Sequence, residues 1–167
     1  AATGEVTPTA ALGDGTKAIT YKYVDAAGNL SAASPALSIT VDTTAPQMPA
    51  TAPDLTNASD TGASSTDNIT NDATPGFAIT PPANGDSVKL YVDGVEVAST
   101  LVNGELTPVG ALGDGPHAIT YRYIDTAGNA GPASAGLNIR IVIPPVMRVI
   151  ENSHPTQVGQ DQTVEQR

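Results

Sequence analysis

Acidic and amide side chains are concentrated in one short stretch, residues 54–72, which reads DLTNASDTGASSTDNITND and contains no Lys or Arg. Calcium takes about six to eight oxygen ligands from carboxylates, amide or backbone carbonyls and water. Short acidic and amide side chains in a Gly- and Ser-rich loop bring such oxygens close together. We therefore expect a cation site here, with these candidate ligands: Asp60, Asp67, Asp72 and Asn68, helped by backbone oxygens.

The same stretch also fits a loop that binds no metal. Asp, Asn, Ser and Gly are the ordinary residues of turns, where their side chains hydrogen-bond to nearby backbone groups. The spacing of an EF-hand calcium loop is absent. The residues alone leave both interpretations open, and they do not separate calcium from magnesium.

The overall composition restricts the partners. Seven basic residues stand against seventeen acidic ones, so the net charge is −10 and the isoelectric point is near 4.2. Nucleic acid and anionic membrane surfaces are therefore poor partners, because both are bound through basic patches. No apolar run approaches the length of a membrane span, so we expect no membrane insertion. The chain lacks Cys and does not begin with Met, and we expect a processed product or a fragment.

Two stretches of the chain are copies of one sequence. Residues 7–41 and 107–141 align without a gap, and 20 of the 35 positions are identical. The predicted repeat is therefore about 100 residues long. We predict three regions: the C-terminal half of one repeat at 1–42, a complete repeat at 43–142, and a tail or linker at 143–167.

The complete repeat carries the signals of short β-strands at regular spacing. SVKLYV and VEVASTLV flank Asp93-Gly94, a strong hairpin signal, and HAITYRYI alternates with Ile119, Tyr121 and Tyr123 on one face. No stretch has a helical period. About seven strands in about 100 residues predict an all-β fold, an immunoglobulin-like Greek-key β-sandwich. The segment 58–73 is expected to be the loop between its first two strands.

The first 42 residues and the linker after them raise a separate expectation. Three prolines stiffen residues 41–53, which favours a rod over loosely connected beads. Half a sandwich exposes its tyrosine face and its sheet edges. We expect this half-unit either to be disordered alone or to be completed by another chain through strand exchange. The apolar run 139–150 is a second possible complement.

Catalysis finds little support in the sequence. His117 stands where the other copy has Lys17, which fits an exposed position better than a general base, and His154 lies in the polar tail. The carboxylates lie in polar loops rather than in the dry cleft that acid–base catalysis requires. We predict that the chain is not an enzyme.

Five motifs together resemble the bacterial Ig-like repeats of large secreted surface adhesins and biofilm-associated proteins. The motifs are VDTTAP (41–46), SDTGASSTDNITND (59–72), LYVDG (90–94), GDGPHAIT (113–120) and DTAGN (125–129). The resemblance covers residues 1–142. It implies export to the bacterial cell surface or biofilm matrix and a calcium-stiffened stalk or fibre for adhesion. Neighbouring repeats of the same chain are then the expected partners.

With this resemblance, a second cation site is expected where the linker enters the complete repeat. Asp42 would meet Asp125 and Asn129 of the last loop, with Asp14 of the preceding half-unit facing them. The alternative function is an Ig-like binding module that recognises a glycan or a host protein. The alternation of the tyrosines with Ile19 and Ile119 favours core packing over a sugar platform.

Overall fold

The computed structural model describes residues 4–83 and 85–144, and all regular structure in these residues is β-strand. Residues 145–167, which include most of the predicted tail and half of the run 139–150, lie outside the described part. The strands are β1 (Gly15–Ile19), β2 (Leu37–Val41), β3 (Asp54–Leu55), β4 (Ile69–Thr70), β5 (Phe77–Ala78), β6 (Ser87–Val92), β7 (Val95–Val97), β8 (Ser99–Val102), β9 (Glu105–Pro108), β10 (Gly115–Ile124) and β11 (Leu137–Ile141).

Residues 54–141 form two sheets that enclose one core. One sheet has the order β4-β11-β10-β6-β7, and the other has the order β3-β5-β9-β8. Apolar side chains that alternate along these strands meet between the sheets. This arrangement confirms the predicted all-β, immunoglobulin-like sandwich. The buried core consists of Leu55, Phe77, Ile79, Leu90, Val92, Leu106, Ile119, Tyr121, Ile139 and Ile141.

The predicted hairpin at Asp93-Gly94 is confirmed, but the strand after it is divided. Both turn residues have positive φ, 53° and 82°, as a tight two-residue turn requires. VEVASTLV was predicted as one strand. It leaves β6 after Val97, and Ser99–Val102 pairs instead with β9 in the opposite sheet. The prediction of about seven strands was therefore too low, because a continuous apolar pattern does not reveal a change of sheet.

A second correction concerns the acidic stretch. Ile69–Thr70 forms the short strand β4, which pairs in parallel with β11. Backbone hydrogen bonds run from Arg140 N to Asn68 O (2.9 Å) and from Val142 N to Thr70 O (2.8 Å). The predicted loop 58–73 is therefore not all loop, because residues 69–70 form a strand. Its central part joins β3 in one sheet to β4 in the other.

The half-unit forms a two-stranded sheet of its own. β1 pairs with β2 from Gly15↔Val41 onward, and β10 pairs with β11 from Gly115↔Ile141 onward, so the registers are the same. The two hairpins differ in burial. Tyr21 is 52% exposed, whereas Tyr121 is fully buried.

Candidate cation site and linker junction

Ser59 organises the acidic stretch from inside. Its hydroxyl donates to Asp72 Oδ2 (3.0 Å) and accepts from the backbone N–H of Gly76 (2.9 Å). Its carbonyl accepts a hydrogen bond from the Thr70 hydroxyl. Ser59 is 6% exposed, so these bonds are shielded from water. They hold together the segment after β3, strand β4 and the residues just before β5.

Asp60 is a buried carboxylate with one unpaired oxygen. The residue is 5% exposed, and its Oδ2 accepts from the backbone N–H of Asn68 at 3.3 Å. Its Oδ1 is buried and has no hydrogen-bond partner among the described residues. Burying a charged oxygen without a partner is costly. This oxygen is therefore the place in the loop where a cation would compensate most.

Asp67 and Asn68 lie on the turn next to Asp60. Asp67 Oδ1 accepts from the backbone N–H of Ile69 at 3.1 Å, and Asn68 has a φ of 59°. Gly62 packs against this turn: a Cβ there would lie 2.9 Å from Ile69 O and 3.3 Å from Asp67 Oδ1. Glycine therefore keeps the approach to the Asp67 carboxylate open.

Asp72 is used differently from Asp60. Its Oδ1 accepts from the backbone N–H of Thr74 at 2.9 Å, and its Oδ2 is bound by Ser59. Within residues 4–83 and 85–144, no group of three or more His, Cys, Asp and Glu side chains gathers around one point. A cation beside Asp60 fits the oxygen donors of the turn, but most of its ligands would be backbone, amide or water oxygens.

The second predicted group is partly assembled. Asn129 Nδ2 donates to Asp125 Oδ2 (2.8 Å) and to the backbone carbonyl of Asp42 (3.0 Å). The hydrogen bonds from Asn129, together with those from nearby backbone N–H groups, lower the pKa of Asp125 below its usual range. The side chain of Asp42 turns back to the N–H of Thr44 (3.0 Å). The junction therefore presents the linker backbone, rather than a second carboxylate, to Asn129.

Asp14 holds the start of the linker. Its Oδ1 accepts from the backbone N–H (2.9 Å) and the hydroxyl (2.7 Å) of Thr43, and its Oδ2 accepts from the Thr44 hydroxyl (3.2 Å). These bonds, those of Thr43 first, lower the pKa of Asp14. Asp14 thus bonds to Thr43 and Thr44 rather than to Asp125 and Asn129.

Sequence reasoning missed the hydroxyl groups and one glycine. Ser59, Thr43 and Thr44 carry several of the bonds above, and Gly131 lies against the linker, where a Cβ would be 2.7 Å from Pro46 O. Some of these residues could have been found by comparing the two copies, because they are positions at which the copies differ. Thr43 and Thr44 stand where the second copy has Ile143 and Pro144, and Gly131 stands where the first copy has Ser31.

His117 is less exposed than predicted, because its ring is hydrogen-bonded to Asp93 and Gly113. Its side chain is 15% exposed, with Nδ1 2.7 Å from Asp93 Oδ2 and Nε2 2.9 Å from Gly113 O. The Asp93 carboxylate and, after it, the Gly113 carbonyl raise the pKa of His117. Both ring nitrogens therefore serve the fold, by holding the β6–β7 turn against the start of β10.

Comparison with known proteins identifies the family. Residues 47–141 match the family model described as a bacterial Ig-like domain. A search of curated proteins finds no match. Among the described residues no helix is long and apolar enough to cross a membrane. Because the match spans more than half of the 167 residues and agrees with the two-sheet sandwich, the chain belongs to the bacterial Ig-like domain family.

Proposed function

We propose that the chain is a structural repeat of a bacterial cell-surface or extracellular-matrix adhesin, and that it forms part of a stalk or fibre in adhesion and biofilm formation. Bacterial Ig-like domains are typically non-catalytic structural modules and are often found on extracellular surface proteins. The observation that carries the proposal is the linker. It is hydrogen-bonded to the hairpin that it leaves, through Asp14, and to the sandwich that it enters, through Asn129.

A linker that is hydrogen-bonded to the units before and after it favours an extended arrangement of successive units. Pro49 and Pro53 of the linker are buried, and proline restricts the remaining backbone freedom. A stalk needs this property because its length is lost when adjacent units pivot freely. The proposed location is therefore outside the cell, on the bacterial surface or in the biofilm matrix.

We further propose that calcium binds beside Asp60 and stiffens the unit. The buried, unpaired Oδ1 of Asp60 supports this proposal, since a bound cation would compensate its charge. Asp67 and Asn68 lie on the adjacent turn and can add oxygen ligands. Calcium suits such a site because it accepts backbone and amide oxygens in flexible geometry, whereas magnesium demands a near-ideal octahedron.

Thermal melts of the full chain test the calcium proposal. A ligand at one hundred times its Kd stabilises the native state by about 2.7 kcal/mol. Each kcal/mol raises the Tm of a domain of about 100 residues by about 4 to 8 °C, so the expected rise is about 11 to 22 °C. We expect this rise with calcium over EGTA, and a smaller one with magnesium. Asp60→Asn removes the charge at nearly constant shape, so the calcium-dependent rise should disappear.

Asp54→Asn is the matched control, because Asp54 precedes the same loop but is exposed. It should keep the full calcium response. A wild-type chain whose Tm is the same in calcium and EGTA would contradict the calcium proposal and leave the stalk proposal standing.

We also propose partners for the half-unit: neighbouring repeats of the same protein, or other copies by strand exchange. Val6, Leu12, Ile19, Leu37 and Ile39 line an apolar groove on one side of the hairpin. In the complete unit the corresponding face of β10 and β11 is covered by the sheet of β3, β5, β9 and β8. The complement should therefore resemble residues 54–108.

Light scattering of the full chain over a range of concentrations tests strand exchange. We expect oligomers that dissociate when Ile39→Lys places a charge in the groove. Thr40→Lys, on the opposite face of β2, should leave association unchanged. A chain that stays monomeric at all concentrations would contradict exchange between copies.

A further inference from the structure

The last loop of the complete unit has a copy in the half-unit, and the two are built alike. Asp125 Oδ1 accepts from the backbone N–H groups of Ala127 (2.9 Å) and Asn129 (2.8 Å). Asp25 makes the same two bonds, both at 2.9 Å, in the first copy. In each loop the asparagine amide also donates to the second carboxylate oxygen. The loop is therefore shaped by its own residues, whether or not a linker lies on it.

The contacts of Asn129 and Asn29 with the rest of the chain differ. Asn129 Nδ2 makes an additional hydrogen bond to the backbone carbonyl of Asp42, across 87 residues of sequence. Asn29 Nδ2 donates to Asp25 Oδ2. Asn129 is half-buried, whereas Asn29 is exposed. The loop geometry is therefore the same in both copies. In the second copy, the other amide hydrogen of Asn129 is used to bind the incoming linker.

Besides the hydrogen bond from Asn129, the linker is received by Gly131, which leaves room for its backbone. Gly131 is buried, and a Cβ at this position would lie 2.7 Å from Pro46 O and 3.3 Å from the carbonyl carbon. Real Cβ atoms do not approach backbone atoms so closely, so the linker can lie here only against glycine. The first copy has Ser31 at this position. The surface that receives the linker is therefore particular to the second loop.

The other side of the linker is held by the unit that it leaves. Asp14 accepts hydrogen bonds from Thr43 and Thr44 just before the linker reaches Asn129 and Gly131. At the exit of the complete unit, Asp114 makes the corresponding bond to the N–H of Ile143 (2.8 Å). Ile143 and Pro144 have no hydroxyl, so they cannot make the two bonds that the Thr43 and Thr44 hydroxyls make to Asp14.

We propose that Asn129 and Gly131 form a docking site for the linker segment 42–47, which sets the direction in which the complete unit leaves the preceding hairpin, and that this site acts without a bound cation. The proposal rests on the proposed stalk function and adds a positioning role for two residues. Asn129 contributes an amide donor, and its partner is a neutral backbone carbonyl. Neither group needs a metal for this contact.

Distances between two spin labels test the proposal directly. The chain contains no Cys, so labels can be attached at Thr16→Cys in β1 and Val95→Cys in β7, both exposed positions. In EGTA we expect one narrow distance distribution for the otherwise unchanged full chain. Asn129→Ala should cause loss of the narrow peak. Gly131→Ala should do the same while leaving the Asp125–Asn129 bonds intact.

Asn29→Ala is the matched control, because it removes the same bond within the loop but no linker contact. It should keep the narrow peak. The proposal is overturned if Asn129→Ala keeps the narrow peak, if Asn29→Ala loses it equally, or if the wild type is broad in EGTA and narrows only with calcium. The last outcome would support calcium stiffening, whereas a calcium-independent Tm would count against the calcium site alone.

Discussion

The hairpin of β1 and β2 and the hairpin of β10 and β11 have the same register and the same end loop, but different surroundings. Tyr21 and Tyr23 meet edge to face at 5.5 Å, and Tyr121 and Tyr123 do so at 5.8 Å. In the complete unit the hydroxyls of Tyr121 and Tyr123 donate to backbone carbonyls of Thr51 and Thr80. Within residues 4–83 and 85–144, one hairpin thus has a core against it and the other does not.

The comparison separates local from tertiary causes. Turn residues, asparagine and serine side chains and strand pattern are shared, and they are sufficient to specify the hairpin geometry in both places. Burial depends on the opposite sheet, which only the second hairpin has in the described residues. An isolated two-stranded hairpin is marginally stable at best in water. The same substitution at equivalent positions of the two hairpins should therefore change the free energy of unfolding by very different amounts.

The largest expected difference is between Tyr121→Ala and Tyr21→Ala. Removing a fully buried aromatic side chain costs about 3 to 5 kcal/mol, so the first change should strongly lower the free energy of unfolding. Tyr21 is 52% exposed, and substitutions of exposed side chains usually change stability by less than about 0.5 kcal/mol. Urea denaturation of the full chain measures both, at a protein concentration low enough that light scattering shows no association between copies.

Equal losses for the two tyrosine variants would break the comparison. They would mean that the face of the first hairpin is covered in solution. A cover provided by a second copy through strand exchange should instead appear only at higher protein concentration, because it dissociates on dilution.

A smaller difference is expected between Ser134→Ala and Ser34→Ala. Each serine hydroxyl accepts from the backbone N–H of its tyrosine, Tyr121 or Tyr21, at 3.1 Å. Ser134 is 7% exposed, so its loss leaves a buried N–H unpaired, at a cost of about 1 to 3 kcal/mol. Water can replace Ser34.

Amide hydrogen exchange measured by NMR resolves the serine pair residue by residue. The N–H of Tyr121 should lose protection in Ser134→Ala, while that of Tyr21 should be weakly protected with or without Ser34. Strong protection of Tyr21 in the unchanged chain would be incompatible with an open first hairpin.

The smallest expected effect is a pH dependence near neutral pH that comes from His117, where the first hairpin has Lys17. The pKa of His117 is raised in the fold, so its contribution to stability is fully present below its unfolded pKa of about 6.5 and is lost as the pH rises through the folded value. The free energy of unfolding should therefore fall from mildly acidic to mildly alkaline pH. His117→Lys, the residue of the first copy, should flatten this profile.

Urea titrations at several pH values measure the His117 effect. His154→Gln in both proteins keeps the second histidine from contributing. A profile that is equally steep with Lys at position 117 would assign the pH dependence to other groups.

The fold was largely predictable because most of its strands and turns are specified by local sequence patterns. The alternation of Ile119 and Tyr121 and the Asp93-Gly94 turn each specify their own geometry. The strand switch at Ala98 and strand β4 were not predictable, because both depend on which distant strand offers a free edge. A two-residue strand such as β4 has no period that a pattern can detect.

The residue types of the candidate site were predictable from the sequence, but the hydrogen-bond partners of those residues were not. The acidic stretch drew attention to Asp60, Asp67 and Asp72 together, yet of these three only Asp60 has a buried oxygen that no other described residue contacts by a hydrogen bond. Asp72 is occupied by Ser59 and Thr74, and such hydroxyl and backbone partners depend on how the loop folds back. Asn129 was predicted as a metal ligand, and the sequence did not indicate that its amide nitrogen donates to two oxygens.

The parallel pairing of β4 with β11 has a consequence for a protein under tension. The chain enters the complete unit before β4 and leaves it after β11, so pulling on the two ends drags these parallel strands in opposite directions along their length. The bonds from Arg140 N to Asn68 O and from Val142 N to Thr70 O are then loaded together in shear rather than opened one at a time. Because unfolding under force is governed by the height of the unfolding barrier, this short pair would set the load at which the unit gives way.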